Sequence, residues 1–371
     1  MRTLLSLIIG IFLLGCQPQD QDQKAENPQF FYVGTYTDES SEGIYRYQLN
    51  ANGTLGRLGL AARSPNPSFL ALTPDNRFLL TVNEIDQKGT GTVASYRVRE
   101  DTLLFLSKSS SGGAHPCHIA VNRDGFVLTS NYSGGNVGLL RLDREGKLSD
   151  LLDLDQHQGN GSTRRQQGPH AHMARFADRR QSVIAADLGT NELWFYRLDT
   201  SRGQLIPAHP PTLKMARGAG PRHMTFHPNG QWIYVINELN STVTPVHKTA
   251  NGDYRKGASV STLPQDFQGE NLCADIHISS DGRYLYASNR GHNSIAVFRV
   301  SPEDGSLRIA GHHNIRGNWP RNFALSPDEK YLLVANQKSD NIVAFSRDST
   351  SGQLDYTGQI EAPAPVCILF E

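Results

Sequence analysis

The feature that most restricts what this chain can become is a phrase it repeats: a tight polar turn, a short apolar strand, and a closing Asn or Asp. It reads Pro74-Asp75-Asn76-Arg77 running to Asn83, Arg123-Asp124-Gly125 to Asn131, Asp178-Arg179-Arg180 to Asp187, Pro228-Asn229-Gly230 to Asn237, Asp281-Gly282-Arg283 to Asn289, and Pro327-Asp328-Glu329-Lys330 to Asn336. Turn formers between runs of β-branched and aromatic residues predict a hairpin at each copy. The clearest spans Arg222–His227 and Trp232–Asn237, and its antiparallel pairing brings Arg222 beside Glu238 despite their separation along the chain. A third alternating strand follows each hairpin, such as Thr92–Val98, Ser294–Val300 or Asn341–Phe345, and often a Gly-x-Leu turn into a weaker fourth. Self-similarity of this kind predicts an array of four-stranded units.

The ends of the array predict closure. At the front, Phe30–Tyr36 and Gly43–Leu49 lack a preceding inner strand, whereas Pro365–Phe370 aligns with Pro320–Leu325, the inner strand of the last full unit. Supplying the missing strand from the carboxyl terminus gives an all-β, seven-bladed β-propeller with no exposed sheet edge. Pro67, Pro116, Pro221, Pro320 and Pro365 head inner strands, where the first residue need not donate to the ladder.

Formal charge is zero, with 36 basic and 36 acidic residues. This leaves no electrostatic footprint for nucleic acid, so the expected partner is a small molecule or another protein. Residues 1–16 carry Arg2, an apolar run from Leu4 to Leu14 too short to span a bilayer, and Leu13-Leu14-Gly15-Cys16. That ending resembles a bacterial lipobox, which implies a signal peptide cut before Cys16 and lipid attachment to its thiol. Gln17 in place of Asp then points to the periplasmic side of the outer membrane in a Gram-negative cell, with the lipid as the sole membrane contact. Residues 17–28 read as a polar tether and 29–371 as one propeller domain, expected to be a monomer. Cys117, Cys273 and Cys367 fall on inner strands of non-adjacent blades, so they are expected to be buried thiols, with no His set beside any of them by the repeat register.

The register also places residues around the channel. Ser68, Cys117, His172, Arg222, Ala274, Arg321 and Val366 share the start of the inner strand; Glu84, Tyr132, Leu188, Glu238, Arg290 and Gln337 follow the closing Asn or Asp. His172, Arg222, Glu238 and Arg290 therefore converge from blades four to six. Arg222–Glu238 alone would be an ion pair stapling a hairpin, but four ionisable groups at a channel mouth form a candidate site. Such a set suits attack of water on a carbonyl, whose developing negative charge Arg donors can stabilise while Glu238 or His172 takes the proton. This chemistry demands no metal or other cofactor, and neither zinc-ligand spacing nor a nucleophile elbow is present.

The motifs Gly168-Pro169-His170-Ala171-His172, Gly220-Pro221-Arg222-His223, Asn237-Glu238 and Asn289-Arg290 resemble the seven-bladed lactonase family of bacterial 6-phosphogluconolactonases and fungal carboxy-muconate cyclases. The resemblance covers essentially all of Gln29–Glu371. It implies a lactone hydrolase acting on a lactone or sugar acid. It also implies a functional His, two Arg and a Glu, falling on His172, Arg222, Arg290 and Glu238. Arg165-Gln166 resembles a further family element, and His170, His223 and Arg321 complete the expected substrate-binding set. The register favours His172 over His170. Two other activities stay open: a muconate-lactonizing-type cyclase, and a periplasmic propeller that binds an anionic ligand or a protein without turnover.

Overall fold

A computed structural model describes residues 27–37, 40–177 and 181–371. Cys16, most of the tether and the turn at Asp178–Arg180 lie outside them. Strands account for most of the described chain, in seven antiparallel sheets of four or five strands. Six follow the sequence order, from Phe69–Leu72 at the start of blade two to Leu354–Glu361 at the end of blade seven. The seventh is composite. Pro365–Phe370 pairs antiparallel with Gln29–Thr35, matching Phe31 to Phe370, Tyr32 to Leu369 and Val33 to Ile368, ahead of Gly43–Leu49 and Leu55–Arg63. The ring closes between the two ends of the chain, as the missing-strand argument requires.

Packing between blades follows from strand alternation. Inner and middle strands are buried on both faces, so they read as near-continuous apolar runs such as Tyr331–Asn336, and each pair of neighbouring sheets encloses an apolar layer. Phe31, Val33 and Tyr47 of blade one meet Leu333, Ala335 and Ala344 of blade seven; Phe126, Leu128 and Leu139 of blade three meet Ala174, Ala185 and Leu198 of blade four.

The closing Asn has a structural task. Asn83 Nδ2 donates to Ser64 Oγ at 2.8 Å and Pro65 O at 2.7 Å, Asn131 Nδ2 to Ser111 O at 2.9 Å, and Asn289 Nδ2 to Thr262 O at 2.9 Å. In each case the amide satisfies the segment that crosses from the preceding blade. Blade four inverts the polarity. Asp187 accepts from His157 Nδ1 at 2.6 Å and from the backbone N–H groups of His170 and Thr190, both at 2.8 Å. His157 stacks on Trp194 at 4.1 Å and reaches Tyr196 Oη at 2.8 Å. The crossing segment is thus tied down by a His–Asp pair where blades two, three and six use an amide.

A second recurrence appears only in the pairing. Blades three, four, five, six and seven each carry a register shift at the head of the inner strand, between Pro116 and His118, Ala171 and Met173, Pro221 and His223, Cys273 and Ile276, and Pro320 and Asn322. A β-bulge inserts one unpaired residue and re-aims its side chain. Cys117, His172, Arg222 and Arg321 are those residues, as one of Ala274 and Asp275 is in blade six.

Candidate functional site

Arg222 leaves the ladder at its bulge, and Glu238 follows the last residue paired on the facing strand. Gly220, at φ 65°, makes the left-handed turn that feeds Pro221 into the sheet. Both side chains are buried, and Glu238 Oε2 lies 3.1 Å from Arg222 Nε. The same oxygen lies 2.8 Å from Arg290 Nη2 as an ion pair, while Oε1 accepts from Arg165 Nη2 at 2.9 Å. Three guanidiniums therefore meet one carboxylate. Arg290 is fixed by donating to Cys273 O at 2.8 Å and by lying over the Trp319 ring, and Arg222 donates through Nη1 to Ala274 O at 2.6 Å. The Arg222 Nε–H is close to Glu238 but misaligned, and makes no hydrogen bond.

Arg165 differs from the other two. It sits on a single 3-10 turn, Arg164–Gln166, in the long connection between blades three and four, and its side chain is 47% exposed. Gln166 anchors the turn by donating to Leu188 O and Asn191 Oδ1; a Cβ at Gly189 would collide with the Gly168 carbonyl. The arm reaches over the channel to Glu238 and also donates to Tyr132 Oη at 2.9 Å.

The expected site residues divide into groups. Arg165, Arg222, Arg290 and Glu238 form the ion cluster. His170 stacks on Tyr132 at 4.5 Å, with its Nδ1 2.9 Å from Tyr132 O, and thereby holds the tyrosine at the rim. His172 is buried beside them. Its ring lies 5.5 Å from Tyr132 and 5.2 Å from His223, and its Nδ1 is 3.7 Å from Cys117 Sγ. This corrects the expectation that no His is fixed beside a Cys: consecutive bulges in blades three and four aim both side chains into the same space. The three cysteines among the described residues, Cys117, Cys273 and Cys367, are free and buried. Burial pushes the Cys117 thiol far up, so it stays protonated. His223 lies beneath Arg222, and Arg321 lies across the channel, donating to Tyr36 Oη at 2.8 Å.

Asp275, Glu84, Tyr132 and Tyr36 join the site without having been singled out. Asp275 accepts from His223 Nδ1 at 2.8 Å, His277 Nε2 at 3.0 Å and Asn322 Nδ2 at 2.6 Å. Its one signal in the sequence is a lone carboxylate within the apolar inner strand Leu272–Ile278. Glu84 and Tyr132 share Glu238's place in the repeat, which could have found them; Tyr36 has no such signal.

Burial opposes the charged form of Glu238, but Arg290, Arg222, Arg165 and Arg321 outweigh it and hold the carboxyl down at about 2. Burial, with Arg222 close by, pushes His172 well below the ordinary imidazole range. Burial and Arg222 likewise hold His223 at about 4 despite Asp275. Both imidazoles are neutral at pH 7. His223 therefore donates from Nδ1 to Asp275 and accepts at Nε2 from Arg222 Nη1, 3.2 Å away, which orients the guanidinium. Four guanidiniums (Arg165, Arg222, Arg290, Arg321) against three carboxylates (Glu84, Glu238, Asp275) leave the site positive by one charge. Such a site suits an anionic ligand or a developing oxyanion.

Comparison with known proteins places this arrangement in a family. Residues 30–370 match the model "Lactonase, 7-bladed beta-propeller". The chain is 36% identical to a 6-phosphogluconolactonase of Bacillus subtilis, over 91% of this chain and 97% of that one. It is 33% identical to a 6-phosphogluconolactonase of Formosa agariphila, over 87% and 94%. The solved structure of the Pseudomonas aeruginosa periplasmic gluconolactonase superposes with a TM-score of 0.88 at 32% identity, covering 93% of this chain and 99% of that one. The chain belongs to the seven-bladed β-propeller lactonase family.

Proposed function

We propose that the protein hydrolyses the lactone of a sugar acid at the channel mouth, with Arg222 and Arg290 taking the charge that develops on the carbonyl oxygen. The observation that carries this reading is the buried carboxylate Glu238 in contact with three guanidiniums, of which two are held by the backbone and the third is a half-exposed arm. A fixed guanidinium donates to an oxyanion without reorganising during the reaction, and a low-dielectric wall strengthens the effect. Glu238, as the anion that holds the donors in place, is a poor proton acceptor at about 2. Its role is positioning. His172, kept neutral and buried, offers a hydrogen-bonding nitrogen to the substrate. Arg165 closes over a bound lactone, and the surplus of positive charge favours a substrate with a carboxylate or phosphate.

The relatives named above support the reaction class, and the lipobox-like ending at Cys16 supports export and lipid anchoring on the periplasmic side of an outer membrane. The test is hydrolysis by the chain lacking residues 1–28 of glucono-δ-lactone and its 6-phosphate, followed by proton release and corrected for the spontaneous reaction. Activity on at least one, reduced on the order of 10²-fold or more in Arg222→Ala, is expected. A wild type no faster than background on either lactone would refute the reading.

A further inference from the structure

The lactonase reading lacks a proton acceptor. Glu238 has both oxygens occupied by guanidiniums, and the neutral His172, with its Nδ1 set against the protonated Cys117 thiol, presents its other nitrogen to the substrate as an N–H donor. Directly across the ring, in blade two, Glu84 takes the place in the repeat that Glu238 takes in blade five: each follows the closing Asn of its second strand.

Glu84 is held from one side only. Tyr36 Oη donates to Oε2 at 2.9 Å, and Arg321 Nη2 donates to Tyr36 Oη at 2.8 Å. Among the described residues, Oε1 has only the Arg321 guanidinium at 4.0 Å, beyond hydrogen-bonding distance. The carboxylate borders a small, partly open cavity, with room for about one water molecule, that is also lined by Ser68, Cys117, Arg222, His223 and Arg321. Among the described residues, two of these carry buried polar atoms that make no hydrogen bond, Ser68 Oγ and Arg222 Nε, the latter although it lies 3.1 Å from Glu238. Buried polar atoms left unpaired are costly, and a single water suits a space with several donors and acceptors around it. Ser68 stands in blade two where Arg222 stands in blade five, and both residues line this one cavity.

We infer that this cavity holds the attacking water and that Glu84 is the general base of lactone opening. The Glu84 carboxylate accepts a proton from the water as the water oxygen bonds to the lactone carbonyl carbon. The carbonyl π pair moves to the oxygen, which Arg222 and Arg290 stabilise. When the tetrahedral intermediate collapses, the bond to the ring oxygen breaks and the proton on Glu84 passes to the leaving alkoxide. The carboxylate is regenerated and the product acid loses its proton to solvent. Ser68 and Arg222 orient the water.

The inference rests on the lactonase reading, and the experiment separates the two. Glu84→Gln keeps the Tyr36 hydrogen bond but cannot accept a proton. Its kcat is expected to fall at least ~10²-fold with KM changed no more than a few-fold. Across a pH series, the acidic limb of kcat/KM seen in the wild type is expected to disappear; Arg222, Arg321, Tyr36, Cys117 and His223, which face the same space, remain in the variant. Ser68→Ala is expected to lower kcat by roughly tenfold at unchanged melting, through loss of a water ligand. Should Glu84→Gln fold poorly, Glu84→Asp supplies the readout, with lowered kcat and a retained acidic limb. A Glu84→Gln variant that keeps kcat, or keeps the acidic limb, overturns the inference while leaving the lactonase reading intact. A wild type without lactonase activity overturns both.

Discussion

Replacing Glu238 by Gln tests whether this carboxylate positions the arginines or does chemistry itself. The change preserves shape and removes the one anion that Arg222, Arg290 and Arg165 share. A carboxyl held at about 2 instead of its ordinary 4.5 contributes on the order of 3 kcal/mol of folded-state stability. Because the folded value is the depressed one, that contribution is fully present above 4.5 and is lost as pH falls toward 2. It is more than half gone by about pH 3. Removing one partner from a buried ion cluster costs about 3–5 kcal/mol, so the two arguments agree in size. Urea unfolding followed by tryptophan fluorescence, run on the wild type and Glu238→Gln from pH 7 to pH 3, measures the gap directly. It is expected to be about 3 kcal/mol at pH 7 and to narrow by about 2 kcal/mol at pH 3, where the unfolded chain has protonated this carboxyl while the folded protein still holds it charged. A gap under about 1 kcal/mol at neutral pH, or one that does not narrow with acid, would refute the positioning role.

Removing residues 365–371 takes away the strand that closes blade one, including buried Val366 and Ile368, each worth about 1.5–3 kcal/mol of burial, and exposes the edge of Gln29–Thr35. Loss of cooperative melting, or self-association seen by light scattering, is expected. Arg165→Ala removes a half-exposed arm and should leave melting within about 1 kcal/mol of wild type while raising KM roughly tenfold, which steady-state kinetics checks. Cys16→Ser should move the protein from the membrane fraction to the soluble fraction; wild-type protein found unlipidated in the cytosol would refute export.

Much of the architecture follows from local patterns. A tight turn followed by an apolar strand fixes a hairpin, six hairpins of equal length fix an array, and the unmatched strands at the two ends fix its closure, because each of these is a short-range or counting constraint. The convergence of Arg222 and Glu238 belongs here too, since a hairpin's own register sets it. The sense of the closing Asn, a donor to the incoming crossover, was not legible, and Asp187 in its place could be understood only once His157 was seen against it. Four further features were decided by the tertiary structure. The bulge at the head of the inner strands adds a residue that period-two alternation cannot reveal, yet it aims His172 at Cys117 and Arg222 at the channel. Arg165 arrives from a long connection with no strand register to place it. Asp275 beneath His223 looked like an isolated carboxylate in an apolar strand. Glu84 faces Arg222 from three blades away, and only closure of the ring sets that separation. Strand pairing reads nearest neighbours in the chain, whereas the charge on each group at the mouth depends on every blade that reaches the axis.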